Sequence, residues 1–142
     1  MQCFPGQDPR TSISHSEGIV ACAASDEGRI GIDVEWQNPN RAWAAIAAEY
    51  FGPGEANRVL SGGAETFYRL WTLKEALGKA EGTGLARVLE RSDWFAACPL
   101  LGEWRMEIAG RIWTFQSIVP APDYVLALAA EGADPRISRL DI

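Results

Sequence analysis

Residues 18–36, GIVACAASDEGRIGIDVEW, contain two apolar, β-branched runs on either side of a short polar turn. We predict that 18–25 and 29–36 form a β-hairpin, with Gly28 supplying the permissive turn conformation. In the second run apolar residues alternate with Gly31, Asp33 and Glu35, which is the period-two pattern of a half-buried strand. Because alternate residues share a face, both carboxylates project to the same side of this strand.

The remainder of the chain predicts helices followed by strands. An alanine-rich helix at 41–51 is capped by Asn40 and stopped by Gly52-Pro53, a short helix covers 54–60, and a longer helix covers 64–80 after Ser61-Gly62-Gly63, with Gly82 and Gly84 at its exit. Strands are predicted at 103–108, 111–119 and 124–130, the first two joined by Ala109-Gly110. We therefore expect a single α+β domain over 1–142, with a largely antiparallel sheet packed against helices, an irregular arm at 1–11 and a polar tail at 131–142.

Composition excludes several function classes. The chain has 142 residues, 47% of them hydrophobic and 23% charged, as expected for one globular domain. A net charge of −6 argues against non-specific nucleic-acid binding, which needs basic surface. No apolar run approaches the roughly 20 residues of a membrane span, and the N-terminus lacks a signal-peptide pattern, so we expect a cytoplasmic protein. Three widely spaced cysteines, Cys3, Cys22 and Cys98, predict reduced thiols rather than a disulfide framework or zinc site.

Asp33 and Glu35 are candidate ligands for a hard cation. Two carboxylates side by side repel each other unless a cation or hydrogen-bond donors compensate them. A site with few carboxylates suits Mg²⁺, which keeps waters and takes further ligands from substrate phosphates. Taken alone, an Asp-x-Glu pair more often marks a solvated strand face.

The helical segment WTLKEALGKA, residues 71–80, adds a third acid and two cations. Glu75 could supply another oxygen to the same metal ion, and Lys79, one turn later, could reach a phosphate bound there. The alternative is an ordinary i, i+4 ion pair on a solvent-exposed helix. Lys74 lies about 100° around the helix from Glu75, so it points either to solvent or to another part of a ligand.

The segment SISHS, residues 12–16, places a histidine between two hydroxyls just before a strand. Such a group could bind a phosphate. A single histidine is more often an ordinary surface or core residue, and no paired cysteine or second histidine supports a nucleophile–base site around His15.

The joint order of these motifs is more specific than any of them. ISHS, then GIDVE at 31–35, then WTLKEALGK at 71–79 resembles the 4′-phosphopantetheinyl transferase superfamily, in the broad-specificity group typified by the surfactin-synthetase activator. That family carries a G-[IV]-D-x-E strand and an F/W-[ST]-x-K-E-[AS]-x-x-K helix. The resemblance covers roughly residues 12–130.

The resemblance implies an enzyme of the holo-acyl-carrier-protein synthase type, which moves the phosphopantetheine arm of coenzyme A onto a serine of an apo carrier protein and releases 3′,5′-ADP. It implies the following roles: Asp33, Glu35 and Glu75 hold Mg²⁺ against the diphosphate, Lys79 and Lys74 balance its charge, and Ser14 with His15 holds the 3′-phosphate. The expected proton acceptor for the carrier serine is Glu75, or Glu55 through a water. Phosphoryl transfer of this kind depends on positioning and charge neutralisation.

The chain departs from that family in length. Broad-specificity members have two similar lobes with the active site between them, and this chain resembles the second lobe only. Arg10 and Arg29 are possible substitutes for the basic residues of the first lobe. We expect a homo-oligomer or a partner lobe to complete the site, since a half-molecule exposes apolar area. The alternative is a catalytically degenerate half-enzyme that binds coenzyme A or a carrier protein.

Overall fold

The computed structural model describes residues 10–82 and 92–132. Its elements in chain order are β1 Arg10–Ser16, β2 Ile19–Ser25, β3 Ile30–Trp36, α1 Trp43–Tyr50, α2 Pro53–Glu81, β4 Gly102–Ile108, β5 Arg111–Ile118 and β6 Tyr124–Glu131. Strands β3, β6, β5 and β4, in that order, form one antiparallel sheet, and β1 pairs with β2 in a separate two-stranded ribbon. The predicted α+β class and the antiparallel sheet are therefore confirmed.

The main core lies between the four-stranded sheet and α2. Phe51 and Phe67 stack with ring centroids 5.5 Å apart, and Phe67 stacks on Trp71 at 5.6 Å. Burial of such large aromatic side chains supplies much of the hydrophobic stabilisation of a domain this size. A smaller cluster around Ile32, Val34 and Leu128 lies under the ribbon on the other face of the sheet.

The predicted hairpin of 18–25 with 29–36 is wrong in its pairing, although both strands exist. β2 pairs with β1 through a turn at Glu17-Gly18, where φ is 41° and 92°, and β3 pairs with β6 instead. Positive φ at both central residues is the geometry of the two-residue turns that match strand twist. The predicted arm at 1–11 is also too long, because β1 already begins at Arg10. Residues 1–9 lie outside the described residues.

Three serines join the ribbon to the edge of the main sheet. The Oγ atoms of Ser12, Ser14 and Ser16 accept hydrogen bonds from the backbone N–H groups of Ile32, Val34 and Trp36, at 3.0, 3.1 and 2.9 Å. These bonds take the place that backbone carbonyls of a neighbouring strand would occupy. The free edge of β3 is thereby satisfied without a continuous sheet.

The helices differ from expectation mainly at their starts. Asn40 does not cap α1, which begins at Trp43 after Ala42 and has no side-chain cap. The two predicted helices at 54–60 and 64–80 are one element, α2, whose backbone leaves helical geometry at Gly63 with φ 76° and ψ −159°. The predicted break is thus present as a kink rather than as a loop.

The ends of α2 and the C-terminal strands agree closely with the sequence. Gly82 ends α2 in the left-handed conformation, with φ 73°. Ala109 and Gly110, both with positive φ, join β4 to β5 as predicted. Gly84 and most of the predicted tail, 133–142, lie outside the described residues. No helix in 10–82 or 92–132 is long and apolar enough to cross a membrane.

Candidate functional site

Gly31 brings α2 against β3 at backbone distance. A Cβ atom at this position would lie 1.9 Å from the carbonyl oxygen of Ala76 and 2.7 Å from the backbone nitrogen of Ala80. Only glycine leaves room for this approach. The crossing places Glu75 and Lys79 of α2 beside the strand that carries the two predicted acids.

Asp33 is the most buried acid of this group, with 3% of its surface exposed. Its Oδ1 accepts a hydrogen bond from Ser14 Oγ at 3.1 Å and lies 3.4 Å from Lys79 Nζ. Its Oδ2 is buried and has no hydrogen-bond partner among the residues that the structure describes. Burial, and then the charges of Glu75 and Glu35, raise the pKa of Asp33 to about 8, against the lowering effect of Lys79 and Ser14. A positively charged ligand bound at Oδ2 would supply the partner that this oxygen lacks.

Glu35 and Glu75 complete an acid cluster, by which we mean Asp33, Glu35 and Glu75. Burial raises the pKa of Glu35, and the positive charge of Arg41 opposes that rise. Burial, and then the charge of Glu35, raise the pKa of Glu75, while Lys79 and Arg41 lower it. The pKa of each carboxyl in the acid cluster is therefore shifted both by burial and by nearby charges. Within 10–82 and 92–132, no three His, Cys, Asp or Glu side chains are already gathered into a preformed metal site, so a cation bound here would need further ligands from water or a substrate.

Arg41 belongs to the site although no motif indicated it. Its guanidinium lies 3.9 Å from Glu35 Oε2 and 4.9 Å from the centroid of the Trp71 ring. An arginine held over an aromatic face is preorganised and stays charged at all physiological pH values. The only sequence signal was its place shortly after the strand of the two acids, which is too common to be diagnostic.

Lys79 joins the ribbon, the sheet edge and the acid cluster. Its Nζ donates to the carbonyl oxygens of Ile13 and Ile32, at 3.3 and 3.0 Å, and lies beside Asp33. About a third of its side chain remains exposed, so the ammonium is anchored and still reachable. The position is compatible with the predicted contact to a phosphate.

Ser14 and His15 do not converge on one point. Successive residues of β1 face opposite sides, so Ser14 is buried against β3 while His15 is exposed on the outer face of the ribbon. The structure therefore does not bring together the two side chains that were expected to share a phosphate.

Glu55 and Lys74 form a second, closed cluster away from the acids. Both side chains have 0% exposure, and Lys74 Nζ lies 2.7 Å from Glu55 Oε1. Lys74 also donates to the backbone oxygen and Oγ of Ser92, at 2.9 and 3.0 Å, and Glu55 Oε2 accepts the backbone N–H of Phe95 at 3.0 Å. Neither residue is accessible to a substrate, so the predicted roles in charge balance and proton transfer have no structural support.

The chain matches the family model described as the 4′-phosphopantetheinyl transferase superfamily over residues 29–129. It is 32% identical over 125 residues to the 4′-phosphopantetheinyl transferase HetI of a Nostoc species, covering 85% of this chain and 51% of that protein. It is 37% identical over 93 residues to the 4′-phosphopantetheinyl transferase Sfp of Bacillus subtilis, covering 62% and 40%.

One solved structure, the holo-acyl-carrier-protein synthase of Thermotoga maritima, superposes with a TM-score of 0.44 at 20% identity, covering 72% of this chain and 62% of that one. The chain spans about half the length, or less, of the curated relatives it matches. The family model covers well over half of this chain and includes the acid cluster, Arg41 and Lys79. The chain belongs to the 4′-phosphopantetheinyl transferase superfamily.

Proposed function

We propose that this chain transfers the 4′-phosphopantetheine arm of coenzyme A to a serine of an apo carrier protein. The observation that carries the proposal is the unbalanced acid cluster, in which Asp33 is buried with one oxygen unpartnered. Buried carboxylates without enough positive charge are costly, and such groups concentrate at functional sites. Membership in a family of transferases names the chemistry that this cluster would serve.

Mg²⁺ suits the acid cluster in donor chemistry. Carboxylate oxygens are its usual protein ligands, and Asp33 Oδ2 is free to serve as one. Because Mg²⁺ completes its shell with water and phosphate oxygens, it does not need a closed protein cage. We propose that Asp33, Glu35 and Glu75 hold it. When bound, it supplies positive charge against the diphosphate of coenzyme A.

The transfer forms one bond and breaks one. The carrier serine oxygen bonds to the phosphorus that bears the pantetheine arm, and the bond from that phosphorus to the bridging diphosphate oxygen breaks, which releases 3′,5′-ADP. Glu75 accepts the serine proton; in the metal-free chain, burial and the charge of Glu35 raise the pKa of this carboxyl. Lys79, anchored on two carbonyl oxygens, balances charge on the phosphates.

Glu55 and Lys74 are left out of this chemistry. The carboxylate of Glu55 already accepts from Lys74 and from the backbone N–H of Phe95, and neither side chain is exposed. A water-mediated proton transfer through Glu55 would require the opening of this buried pair. Glu75 is therefore the proposed base.

His15 is the proposed contact for the 3′-phosphate of coenzyme A. Its side chain is exposed on the ribbon whose carbonyl at Ile13 binds Lys79, so it lies on an element that borders the site. If the His15 side chain binds that phosphate, His15→Ala should raise the KM for coenzyme A several-fold. The KM for 3′-dephospho-coenzyme A should be the same in the variant and the original chain.

A second lobe is proposed to complete the site. The outer face of the ribbon exposes Ile13 and Val20, at 66% and 69%, which is unusual for large β-branched side chains. The alternative function is a coenzyme A or carrier-protein binding module without turnover.

Intact mass spectrometry of a panel of apo carrier proteins tests the proposal. The chain is incubated with coenzyme A, Mg²⁺ and each carrier, and a gain of one phosphopantetheinyl group is the expected result. EDTA and Asp33→Ala should each abolish it. Arg111→Ala, a surface change on β5, is the control and should leave it intact.

A folded chain that modifies no carrier would contradict the transferase function of the isolated chain. If that chain still binds coenzyme A, the binding-module alternative replaces it. Full activity of Asp33→Ala would instead contradict the assignment of the acid cluster.

A further inference from the structure

The three serines that join the ribbon to β3 make the same contact, but one of them makes an additional one. Each hydroxyl oxygen accepts a hydrogen bond from a backbone N–H of β3, at 3.0 Å for Ser12, 3.1 Å for Ser14 and 2.9 Å for Ser16. Only Ser14 also donates to a side chain, to Asp33 Oδ1 at 3.1 Å. Ser12 can therefore serve as an internal control for Ser14, because both bind the backbone of β3 and Ser14 also contacts the acid cluster.

The hydrogen bonds of Ser14 use its full donor capacity. A serine hydroxyl has one proton and two lone pairs. Since the backbone N–H of Val34 can only donate, it must occupy a lone pair, and the single proton is directed at Asp33. Ser14 is also buried, with no donor left for a phosphate. The single hydroxyl proton of Ser14 is therefore committed to Asp33.

The carboxylate of Asp33 is held on one side only. Oδ1 is anchored by Ser14 and lies beside Lys79 Nζ, whereas Oδ2 is buried without a partner. With one oxygen anchored, rotation of the carboxylate is restricted and Oδ2 remains the oxygen available to a ligand. Loss of a partner that orients a metal-binding side chain in this way typically costs about 10- to 100-fold in metal affinity.

We infer that Ser14 is a positioning residue, which anchors Asp33 Oδ1 so that Oδ2 is presented to a divalent cation. The inference rests on the proposed function in one respect, the binding of a cation by the acid cluster. It gives Ser14 a role through Asp33 in place of the direct contact with a 3′-phosphate that the resemblance implied. Residue 14 lies outside the region that matches the family model, so the assignment comes from the geometry alone.

Mn²⁺ binding by the full chain, measured as the loss of the free-ion electron paramagnetic resonance signal, tests the inference without turnover. Ser14→Ala should weaken Mn²⁺ binding by about 10- to 100-fold. Ser12→Ala removes an equivalent backbone contact without touching Asp33, and should change it by less than about 3-fold. Transfer to carriers is measured separately as a function of Mg²⁺ concentration, where Ser14→Ala should need about 10-fold more Mg²⁺.

A second pair of variants covers the case in which Ser14→Ala does not fold. Ser14→Thr keeps the hydroxyl and should bind Mn²⁺ like the original chain. Ser14→Val has the shape of the threonine variant but lacks the hydroxyl, and should bind Mn²⁺ more weakly than the original chain. Both are β-branched and suit a strand.

The outcomes separate the two proposals. Equal Mn²⁺ affinity of the Ser14 and Ser12 variants, or no Mn²⁺ binding by the original chain, overturns the inference. Mn²⁺ binding that depends on Ser14, in a chain that modifies no carrier, supports the inference and contradicts the proposed transferase function.

Discussion

Lys74 and Glu75 are adjacent on α2, yet they belong to two opposite kinds of charge cluster. Lys74 lies in a closed pair with Glu55, where a carboxylate, an ammonium and the surrounding backbone groups satisfy one another with no exposure to solvent. Glu75 lies in the acid cluster, where burial raises the pKa of every carboxylate and one Asp33 oxygen has no partner.

The difference indicates which cluster stabilises the fold and which one has an unpartnered oxygen available to a ligand. A balanced, fully hydrogen-bonded pair holds together the elements that contribute to it, because removal of one partner leaves an uncompensated buried charge. An unbalanced cluster costs stability in the free protein and recovers it when a cation arrives. Neighbouring residues of an α-helix point about 100° apart, so the adjacent Lys74 and Glu75 belong to different clusters.

Breaking the closed pair should have the largest effect. Lys74→Met leaves the Glu55 carboxylate buried and uncompensated, and should lower the free energy of unfolding by about 3–5 kcal/mol. Urea denaturation followed by tryptophan fluorescence measures this loss. Any loss of activity should follow the loss of folded protein.

A double-mutant cycle provides the control. Glu55→Met with Lys74→Met removes both charges, so it should cost less than the sum of the two single changes. A stable Lys74→Met protein that has lost activity would contradict the comparison. It would mean that Lys74 serves the substrate directly, as the resemblance first implied.

The contribution of the acid cluster to stability should change with pH in the opposite sense from that of a salt-bridged acid. With a pKa of about 8 in the folded chain, Asp33 keeps a proton that the unfolded chain has lost above pH 4. The contribution of Asp33 to stability is therefore greatest below about pH 4 and falls as pH rises from about 4 to 8, by up to about 1.4 kcal/mol per pH unit. Denaturation of the metal-free protein at pH 5, 6, 7 and 8 should show this slope.

Asp33→Asn should reduce that slope and should be more stable than the original chain at pH 8. Part of the slope remains, since burial also raises the pKa of Glu35 and Glu75, against the opposing charges of Lys79 and Arg41. Mg²⁺ should stabilise the original chain at pH 8 and not the variant. Identical pH profiles for the two proteins would show that Asp33 is not the costly group.

Local patterns predicted those parts of the fold that depend on neighbouring residues. Alternation gave the three C-terminal strands and the common face of Asp33 and Glu35, and Gly82 marked the end of α2. The pairing of β2 could not be predicted. Turns at 17–18 and 26–28 are both plausible, and distant β6 decides the matter by pairing with β3.

The site was predictable to the same depth. Motif spacing grouped the three acids with Lys79, and the structure places these side chains near one another, on one strand face and one helix. It could not reveal that Lys74 turns toward Glu55 and Ser92, which are distant in sequence, or that the guanidinium of Arg41 lies over Trp71. Contacts made across loops leave no periodic trace in the sequence.

Arg41 sharpens the comparison, because it is, with Lys79, one of the cations that partly balance the acid cluster. Arg41→Ala removes charge from beside Glu35 and the cover from Trp71, and should lower kcat/KM for transfer by about 10-fold and stability by about 1 kcal/mol. Arg41→Lys keeps the charge without the planar stacking, and should recover part of the activity. Steady-state kinetics at saturating Mg²⁺ measure both. Unchanged activity of Arg41→Ala would place the guanidinium outside the working site.

Arg29 should show the smallest effect, and it tests whether the comparison omits a third region. It was one of two candidates to replace the basic residues of a first lobe. In the structure its side chain lies 4.0 Å from Glu131 and 3.4 Å from the carbonyl oxygen of Glu81, both partly exposed contacts. Such a pair contributes about 0.5 kcal/mol, so Arg29→Ala should change stability by no more than this and the KM for coenzyme A by less than about 2-fold. Arg111→Ala, which removes the other contact to Glu131, is the matched control. A 10-fold rise in KM for the Arg29 variant alone would mean that this surface arginine binds the nucleotide. The binding site would then extend from the acid cluster to the end of α2.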